Sequence, residues 1–332
     1  MPTISTKTVK SSGGDYTSLS AWEAGEQANL VTGDTIAQAE CYSFTDTTDV
    51  LFGGWTTDAT RYIRVYTPST ERYPGKFDNT KYNLNVDRVS LPVLRIEVLN
   101  IRFEGIQVKV NKTADGFIAT GFQTNLFSVS NVDIRIDQCL VNFNNLDAVN
   151  YTWNAGYHFN TSGSTNFNVY ISNSVVYGVR GYNTTSGNWG FHVSGTATLL
   201  AYNCTAYDCS VGFDVGSGGT FIAKNCLAQG CTDGFQGTFD SGSTNNCSDI
   251  TSDAPGSNAV TGTASFVDAT NKDFHLSASD TVAKDAGTDL SGDATYPITI
   301  DIDYQTRAGS WDIGADEVVS LSQFPRRWAT AV

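Results

Sequence analysis

The chain of 332 residues is 40% apolar and 12% aromatic, which is enough to bury a core and excludes a disordered protein. Its net charge of −14, from 20 basic and 34 acidic residues, disfavours binding to nucleic acid or to an anionic membrane surface. Only 16% of the residues are charged, and 31 glycines accompany many Asn, Thr and Ser residues, a composition typical of a turn-rich β protein rather than a helical bundle.

The first thirty residues predict a short helix. Residues 14–24 place Leu19 and Trp22 on one face, with Tyr16 beside them and Thr17 or Ser18 as the N-cap. The N-terminus shows no basic region followed by an apolar run, and no stretch is apolar for the length of a bilayer. We therefore expect neither a signal peptide nor a membrane partner.

Short alternating runs then recur, each ending at an amide side chain. The residues four and two places before the amide are apolar, as expected for the inward face of a strand with period two. The spacing shortens along the chain to about 22 residues. The amides are Asn100, Gln138, Asn173, Asn203 and Asn225, and Asn246 continues the column.

A Gly-aromatic pair recurs once between successive amides. The pairs are Gly116-Phe117, Gly156-Tyr157, Gly190-Phe191, Gly212-Phe213 and Gly234-Phe235. The amides and the Gly-aromatic pairs recur with matching spacing, which predicts an all-β fold, a single-stranded right-handed parallel β-helix. In this fold the coils stack about 4.8 Å apart and equivalent residues lie over one another. A β-sandwich would instead show hairpin turns between the runs.

The expected organisation has four parts. Residues 1–30 form the N-terminal segment with the capping helix, residues 31–260 form the coils, residues 261–318 form an irregular closing segment, and residues 319–332 form an extended tail. The tail carries a basic aromatic group that could dock onto another subunit, whereas the alternative is a frayed terminus. That group consists of Phe324, Arg326, Arg327 and Trp328.

Polar side chains follow the Gly-aromatic pairs. This column reads Ile118, His158, His192, Asp214 and Gln236. The two histidines and the aspartate should therefore lie on successive coils, where they could act as a general acid and base or bind a saccharide. The alternative is a solvated outer face without a function.

The longer segments of the early coils contain aromatic side chains that could form a shelf beside the stack. These are Tyr151, Trp153, Tyr182 and Trp189. Flat aromatic rings with neighbouring amides suit a glycan or a partner protein, and the alternative is that they only cover the flank of the coils.

Seven cysteines occur without any Cys-x-x-Cys pair, so we expect reduced, buried thiols rather than disulfides or a zinc site. Four of them follow the amide column, and small thiols suit a narrow interior. The four are Cys139, Cys204, Cys226 and Cys247.

Carboxylates in the closing segment are the candidates for a metal. Asp301 and Asp303, with Asp312 and Asp316, could donate oxygen ligands to Ca²⁺. The alternative, which we favour, is structural pairing with Arg307 and no bound metal or other cofactor. His275 is interpreted as structural.

Residues 13–22 followed by residues 33–36 resemble the start of pectate-lyase-like right-handed β-helix proteins. Residues 273–276, 285–288, 301–303 and 311–317 resemble the closing segment of bacterial and viral parallel β-helix repeat proteins. Two departures are Tyr304, where many such proteins have Gly, and the tail beyond residue 319. Members without signal peptides resemble bacteriophage virion proteins, whereas secreted members carry targeting sequences.

The resemblance and the residues together suggest a non-enzymatic structural and surface-recognition protein of a phage particle, as a capsid decoration or tail-associated component. It would be made in the host cytoplasm, contact other virion subunits and bind host surface polysaccharide. The alternative is a tailspike-like polysaccharide lyase or glycoside hydrolase that uses His158, His192 and Asp214. Fold transfers by resemblance better than activity does.

Overall fold

The computed structural model describes residues 1–88, 90–113, 118–145, 153–181 and 187–318. Over these ranges the strands stack coil upon coil into three all-parallel sheets of eight, seven and nine strands, and one antiparallel pair follows them. The predicted parallel β-helix is confirmed. No helix within the described ranges is both apolar and long enough to cross a membrane.

The strands, in chain order, are β1 Thr3–Val9, β2 Thr35–Cys41, β3 Thr45–Asp46, β4 Val50–Phe52, β5 Ile63–Tyr66, β6 Asn83–Arg88, β7 Leu91–Ile96, β8 Asn100–Glu104, β9 Gln107–Lys112, β10 Ala119–Thr124, β11 Ser130–Asp137, β12 Leu140–Asn145, β13 Asn154–Thr161, β14 Thr165–Ser172, β15 Val175–Tyr177, β16 Asn188–Gly195, β17 Ala197–Tyr202, β18 Thr205–Tyr207, β19 Val211–Val215, β20 Thr220–Lys224, β21 Leu227–Gln229, β22 Asp233–Gln236, β23 Cys247–Ser248, β24 Val260–Thr261, β25 Phe266–Asp268 and β26 Asp273–Leu276. The helices are α1 Leu19–Glu26, α2 Leu30–Gly33 and a 3₁₀ turn at Ala269–Asn271.

Each sheet collects one strand from successive coils. The first sheet has the order β1-β2-β5-β8-β11-β14-β17-β20, the second β22-β19-β16-β13-β10-β7-β4, and the third β24-β23-β21-β18-β15-β12-β9-β6-β3. Parallel pairing of equivalent strands places equivalent residues side by side along the axis.

Helix α1 packs against the first coils. The Ser18 hydroxyl caps it by accepting a hydrogen bond from the Ala21 amide at 3.1 Å, and Leu19 and Trp22 are fully buried. The Trp22 ring stacks on Trp55 with centroids 5.6 Å apart. The capping helix is therefore confirmed. Strand β1, which precedes the helix and pairs in parallel with β2, was not predicted from the sequence.

A file of stacked aromatic rings fills the interior. Ring centroids of Phe122, Tyr157, Phe191, Phe213 and Phe235 follow one another at 5.1, 4.7, 4.8 and 4.8 Å. The first member shows that the predicted pair Gly116-Phe117 is wrong for this column: Phe122 pairs with Tyr157, and Gln123 rather than Ile118 pairs with His158. Gly116 and Phe117 lie outside the described residues.

At one bend of six successive coils the backbone takes a left-handed conformation, and we call these positions the amide corner. They are Gly105, Gln138, Asn173, Asn203, Asn225 and Asn245, with φ of 68°, 52°, 48°, 51°, 53° and 53°. Two predicted members are wrong, because Asn100 is the first residue of β8, where it pairs with Asp133, and Asn246 lies one place beyond the corner. Only a residue that tolerates positive φ fits the bend, and Asn and Gly tolerate it best.

Hydrogen bonds run along the axis through the amide corner. The Asn203 side-chain nitrogen donates to Asn173 Oδ1 at 3.4 Å, and that of Asn225 donates to Asn203 Oδ1 at 2.9 Å. The backbone N–H of Asn203 also reaches the next coil, where the Lys224 carbonyl accepts it at 2.9 Å. Buried polar groups at the bend are thus satisfied by the neighbouring coils.

The closing segment lies alongside the amide corner. The Thr288 backbone exchanges two hydrogen bonds with the Asn225 amide, at 2.8 and 2.9 Å. The Asn245 side chain donates to the Ala286 carbonyl at 3.0 Å, and the Gln138 side chain donates to the Asp301 carbonyl. The same side chains that join the coils therefore hold the C-terminal part of the fold.

The seven cysteines are free thiols, and six of them are buried, as predicted. Cys204 and Cys226 are neighbours directly after the amide corner, and Cys139 holds the same position two coils earlier. Cys247 pairs with Leu227 and so lies one place further along. Burial raises the pKa of the Cys139 thiol to about 12, so this side chain acts as a small apolar group.

We expect the Asn203→Ala substitution to destabilise the fold by roughly 3 kcal/mol, because it removes two buried side-chain hydrogen bonds and a residue suited to positive φ. Asn203→Gly keeps the backbone conformation and should cost less. The measurement is urea unfolding followed by circular dichroism.

Asn166 provides the matched control for this prediction. It also has positive φ (52°) and donates to an equivalent residue, Asn131, at 3.2 Å, but both side chains are exposed. Asn166→Ala should cost less than about 1.5 kcal/mol. Equal losses in Asn203→Ala and Asn166→Ala would contradict a special role for the buried corner.

Candidate functional site

The structure brings together the three polar residues predicted to share a column. His158 on β13 pairs with His192 on β16, which pairs with Asp214 on β19. The three side chains are only 5%, 6% and 5% exposed. The alternative of a solvated outer face is therefore wrong.

His192 is hydrogen-bonded through both ring nitrogens. Its Nδ1 lies 2.5 Å from Asp214 Oδ2, and its Nε2 lies 3.1 Å from the Ser194 hydroxyl. Sequence reasoning missed Ser194, although the period of two along β16 puts it on the same face as His192. A serine, a histidine and an aspartate thus form one continuous chain of hydrogen bonds.

Two aromatic rings, which also contact each other with centroids 6.1 Å apart, pack against His192. The Trp189 ring stacks on it with centroids 4.1 Å apart, and the His158 ring stacks on it at 5.0 Å. Trp189 is 8% exposed, whereas Trp153, set edge-on to it at 5.8 Å, is 53% exposed. We call Trp153, His158, Trp189 and His192 the aromatic-histidine patch. The other two predicted shelf residues, Tyr151 and Tyr182, lie outside the described residues.

The patch also holds buried polar atoms without a partner. Among the described residues, neither His158 Nδ1 nor Trp189 Nε1 has a hydrogen-bond partner. Burial, with the neighbouring His192, lowers the pKa of His158 to about 3, so this ring is neutral at physiological pH. An unsatisfied buried polar atom is costly, and the described residues hold others as well, such as Trp22 Nε1 in the capping helix.

In the closing segment, His275, Asp303 and Asp316 offer ligand atoms within 4.8 Å of one another, the one such group found among the described residues. The imidazole is already held between carboxylates, with Asp273 at 2.5 Å from Nδ1 and Asp303 at 3.0 Å from Nε2. Burial alone would lower the pKa of His275, but Asp303 and its other carboxylate neighbours raise it to about 10. A protonated imidazole already supplies a positive charge to these carboxylates, whereas Ca²⁺ prefers a set of oxygen ligands.

Of the four candidate Ca²⁺ ligands, Asp303 and Asp316 belong to this group, whereas Asp301 and Asp312 do not. Asp301 Oδ1 accepts hydrogen bonds from the Asp303 and Gln305 amides at 2.9 and 2.8 Å. Its other oxygen, Oδ2, is buried and has no partner among the described residues. Burial raises the pKa of Asp301 to about 7.

Arg307 was expected to pair with aspartates, but it pairs with a glutamate instead. Its guanidinium pairs with Glu317 at 3.1 Å and donates to the Gly314 and Ala315 carbonyls at 2.9 and 2.8 Å. Asp312 instead accepts backbone N–H groups, including that of Val318 at 2.7 Å. The predicted docking residues Phe324, Arg326, Arg327 and Trp328 lie outside the described residues.

The raised pKa of Asp301 predicts how stability depends on pH. Between pH 4 and pH 7 the unfolded chain loses the Asp301 proton while the folded chain retains it, so this group lowers stability as pH rises. Asp301→Asn keeps the acceptor Oδ1 and removes the buried charge. We expect the variant to be more stable than wild type by roughly 2 to 4 kcal/mol at pH 8 and nearly equal to it at pH 4, as measured by urea unfolding.

Asp289→Asn is the control for this prediction. Asp289 is exposed, and hydrogen bonds from Ser291 hold its pKa below the usual range. Its substitution should change stability little, with a slight loss at pH 8. Identical pH profiles for Asp301→Asn and wild type would refute the assignment of a buried, unpaired carboxylate.

Comparison with protein-family models, with curated proteins and with solved structures finds no match in any of the three.

Proposed function

We propose that this protein is a structural and surface-recognition protein of a phage particle, and that it binds host surface glycan through the aromatic-histidine patch. The observation that carries the proposal is the indole of Trp153, which is 53% exposed and braced edge-on by the buried Trp189. An exposed aromatic ring on a buried aromatic support is a typical surface for the apolar face of a sugar ring.

Rigidity of the support favours this role. Trp153 directly precedes β13, and the parallel ladder of β13 with β16 fixes the rings beneath it. A binding surface held on strands loses little conformational freedom when a ligand binds. The uncharged rings of Trp153, Trp189 and His158 suit a polyhydroxylated ligand with apolar ring faces.

The placement on a phage particle has separate support. It depends on the resemblance of the closing segment to viral β-helix repeat proteins and on the stiff, stacked coils that a particle component requires. The net charge of −14 disfavours adhesion to packaged nucleic acid. Other virion subunits are the proposed partners, at either the capsid or the tail.

The geometry does not favour the alternative of a glycoside hydrolase acting through His158, His192 and Asp214. Glycoside hydrolysis uses two carboxyl groups about 5 to 10 Å apart, and this trio contains one. That carboxylate, Asp214, is buried and bonded to His192. The trio is therefore better suited to holding an imidazole than to cleaving a glycosidic bond.

Trp153→Ala tests the glycan site. We expect about tenfold weaker binding to surface polysaccharide, because the exposed stacking platform is lost. The measurement is affinity electrophoresis through gels that contain purified bacterial capsular polysaccharides or O-antigens. Phe127→Ala is the matched control, since Phe127 is 51% exposed but lies between β10 and β11. Binding that is equal in Trp153→Ala and wild type would contradict the proposal.

Removal of residues 320–332 tests the docking of the tail. We expect the shortened chain to keep its fold, as measured by circular dichroism, but no longer to co-sediment with phage particles. The reason is that the basic aromatic group is the proposed anchor. A matched variant that keeps the tail but carries Phe127→Ala should still co-sediment. Retained attachment of the shortened chain would refute the docking role.

A further inference from the structure

The hydrogen-bond chain at the patch has the arrangement of an acyl-transfer centre. Ser194 Oγ lies 3.1 Å from His192 Nε2, and Asp214 Oδ2 lies 2.5 Å from the opposite nitrogen, Nδ1. In this arrangement Nε2 can accept the serine proton while Asp214 holds the N–H on Nδ1 and stabilises the charged ring. The roles are set by geometry and do not depend on the order of the residues in the chain.

The fold fixes each member of this chain. His192 and Ser194 are two residues apart on β16 and therefore share a face, and the ladder between β16 and β19 sets Asp214 beside His192. The imidazole packs against the rings of Trp189 and His158, with centroids at 4.1 and 5.0 Å. A catalytic imidazole needs such a fixed orientation.

The surroundings strengthen the interaction and leave the serine accessible. Asp214 and His192 are 5% and 6% exposed, so their hydrogen bond lies in a medium of low polarity. Ser194 is partly exposed at the end of β16. It can therefore meet a substrate from solvent while its two partners remain shielded.

Gly216 leaves the space that the pair requires. A Cβ atom at this position would lie 2.7 Å from His192 Cε1 and 2.8 Å from Ser194 Cβ. Both distances are too short for real atoms, so a larger residue would displace the imidazole or the serine. The backbone of the following coil thus passes directly over the Ser194–His192 pair without blocking it.

We propose that Ser194, His192 and Asp214 hydrolyse carboxylic esters, and that the natural substrate is an O-acyl group on the glycan bound at the aromatic-histidine patch. The substrate class rests on the proposed glycan-binding function, because Trp153 and Trp189 lie beside the same imidazole. The serine–histidine–aspartate chemistry rests on the three hydrogen-bonded side chains alone. This activity would make the recognition protein an enzyme as well.

The reaction balances with water as the only co-reactant. Ser194 Oγ attacks the acyl carbon while Nε2 of His192 takes its proton, and the ester C–O bond breaks as Nε2 returns that proton to the leaving sugar oxygen. Nε2 then removes a proton from water, the hydroxide oxygen attacks the acyl-serine, and the carboxylic acid leaves as Ser194 regains its proton. An alkoxide is a better leaving group than an amide anion, and an ester carbonyl has less resonance stabilisation than an amide carbonyl, so we assign esters rather than amides.

The test uses p-nitrophenyl acetate and a fluorophosphonate probe, neither of which requires a glycan. We expect wild type to show a burst of p-nitrophenol and to take up one fluorophosphonate on the peptide that contains Ser194. Ser194→Ala should lose labelling and at least 10³-fold of the burst rate, and Asp214→Asn should lose 10²-fold or more. Ser217→Ala, at an exposed serine on the turn after β19, should behave as wild type.

Three results would overturn the proposal: no labelling of wild type, labelling on another peptide, or unchanged hydrolysis by Ser194→Ala. Circular dichroism of each variant separates loss of chemistry from loss of fold, and Ser194→Cys supplies a second variant that retains a nucleophile of similar size. This test and the polysaccharide-binding test of wild type fail separately, because the small ester does not use the glycan site and the gel assay involves no ester.

Discussion

Six successive coils of this protein depend on one backbone bend in a left-handed conformation. For most residues that conformation costs about 1 to 2 kcal/mol, but Asn and Gly adopt it readily. Asn adds a side chain that donates to one coil and accepts from the next, as at Asn203 between Asn173 and Asn225. The bend therefore sets the direction of the chain and the registration of the coils together, and it is the reason that spacing in the sequence becomes position along the axis.

The amide corner also decides where the C-terminal part of the chain lies. An amide side chain can form more hydrogen bonds than one neighbouring coil accepts or donates. Asn225 and Asn245 also donate to the carbonyl groups of Thr288 and Ala286 in the closing segment. The closing segment consequently covers a flank. The segment itself contains buried charges such as Arg307 with Glu317, whose loss of hydration is offset by several carbonyl and carboxylate contacts. Apolar contacts hold this flank as well, as where Trp311 and Leu290 pack with Leu200.

The sequence predicted the β-helix because period-two alternation and recurring amides are local features that need no tertiary knowledge. The prediction chose the wrong residue where two nearby residues or pairs fitted the same repeat. Asn246 adjoins the true corner residue Asn245, and Gly116-Phe117 stands five residues before the pair that contains Phe122. Which candidate is used depends on the pairing of neighbouring coils, a non-local property. The burial of His158, His192 and Asp214 could not be predicted for the same reason. A period of two shows on which face of a strand a side chain lies, but it does not show which residues cover that face.

A parallel β-helix offers one outward position per coil in each column, at a spacing close to the reach of a hydrogen bond between neighbouring side chains. Changing one residue therefore changes the chemistry of a site without changing the scaffold. In the column at the patch, His158 and His192 meet ring to ring, and His192 meets Asp214 through a hydrogen bond. The column and its neighbour Trp189 also hold two unpartnered atoms, His158 Nδ1 and Trp189 Nε1, each of which costs about 1 to 3 kcal/mol. Such atoms occur elsewhere too, as at Trp22 Nε1, so the feature that distinguishes this column is the imidazole that joins a serine to an aspartate.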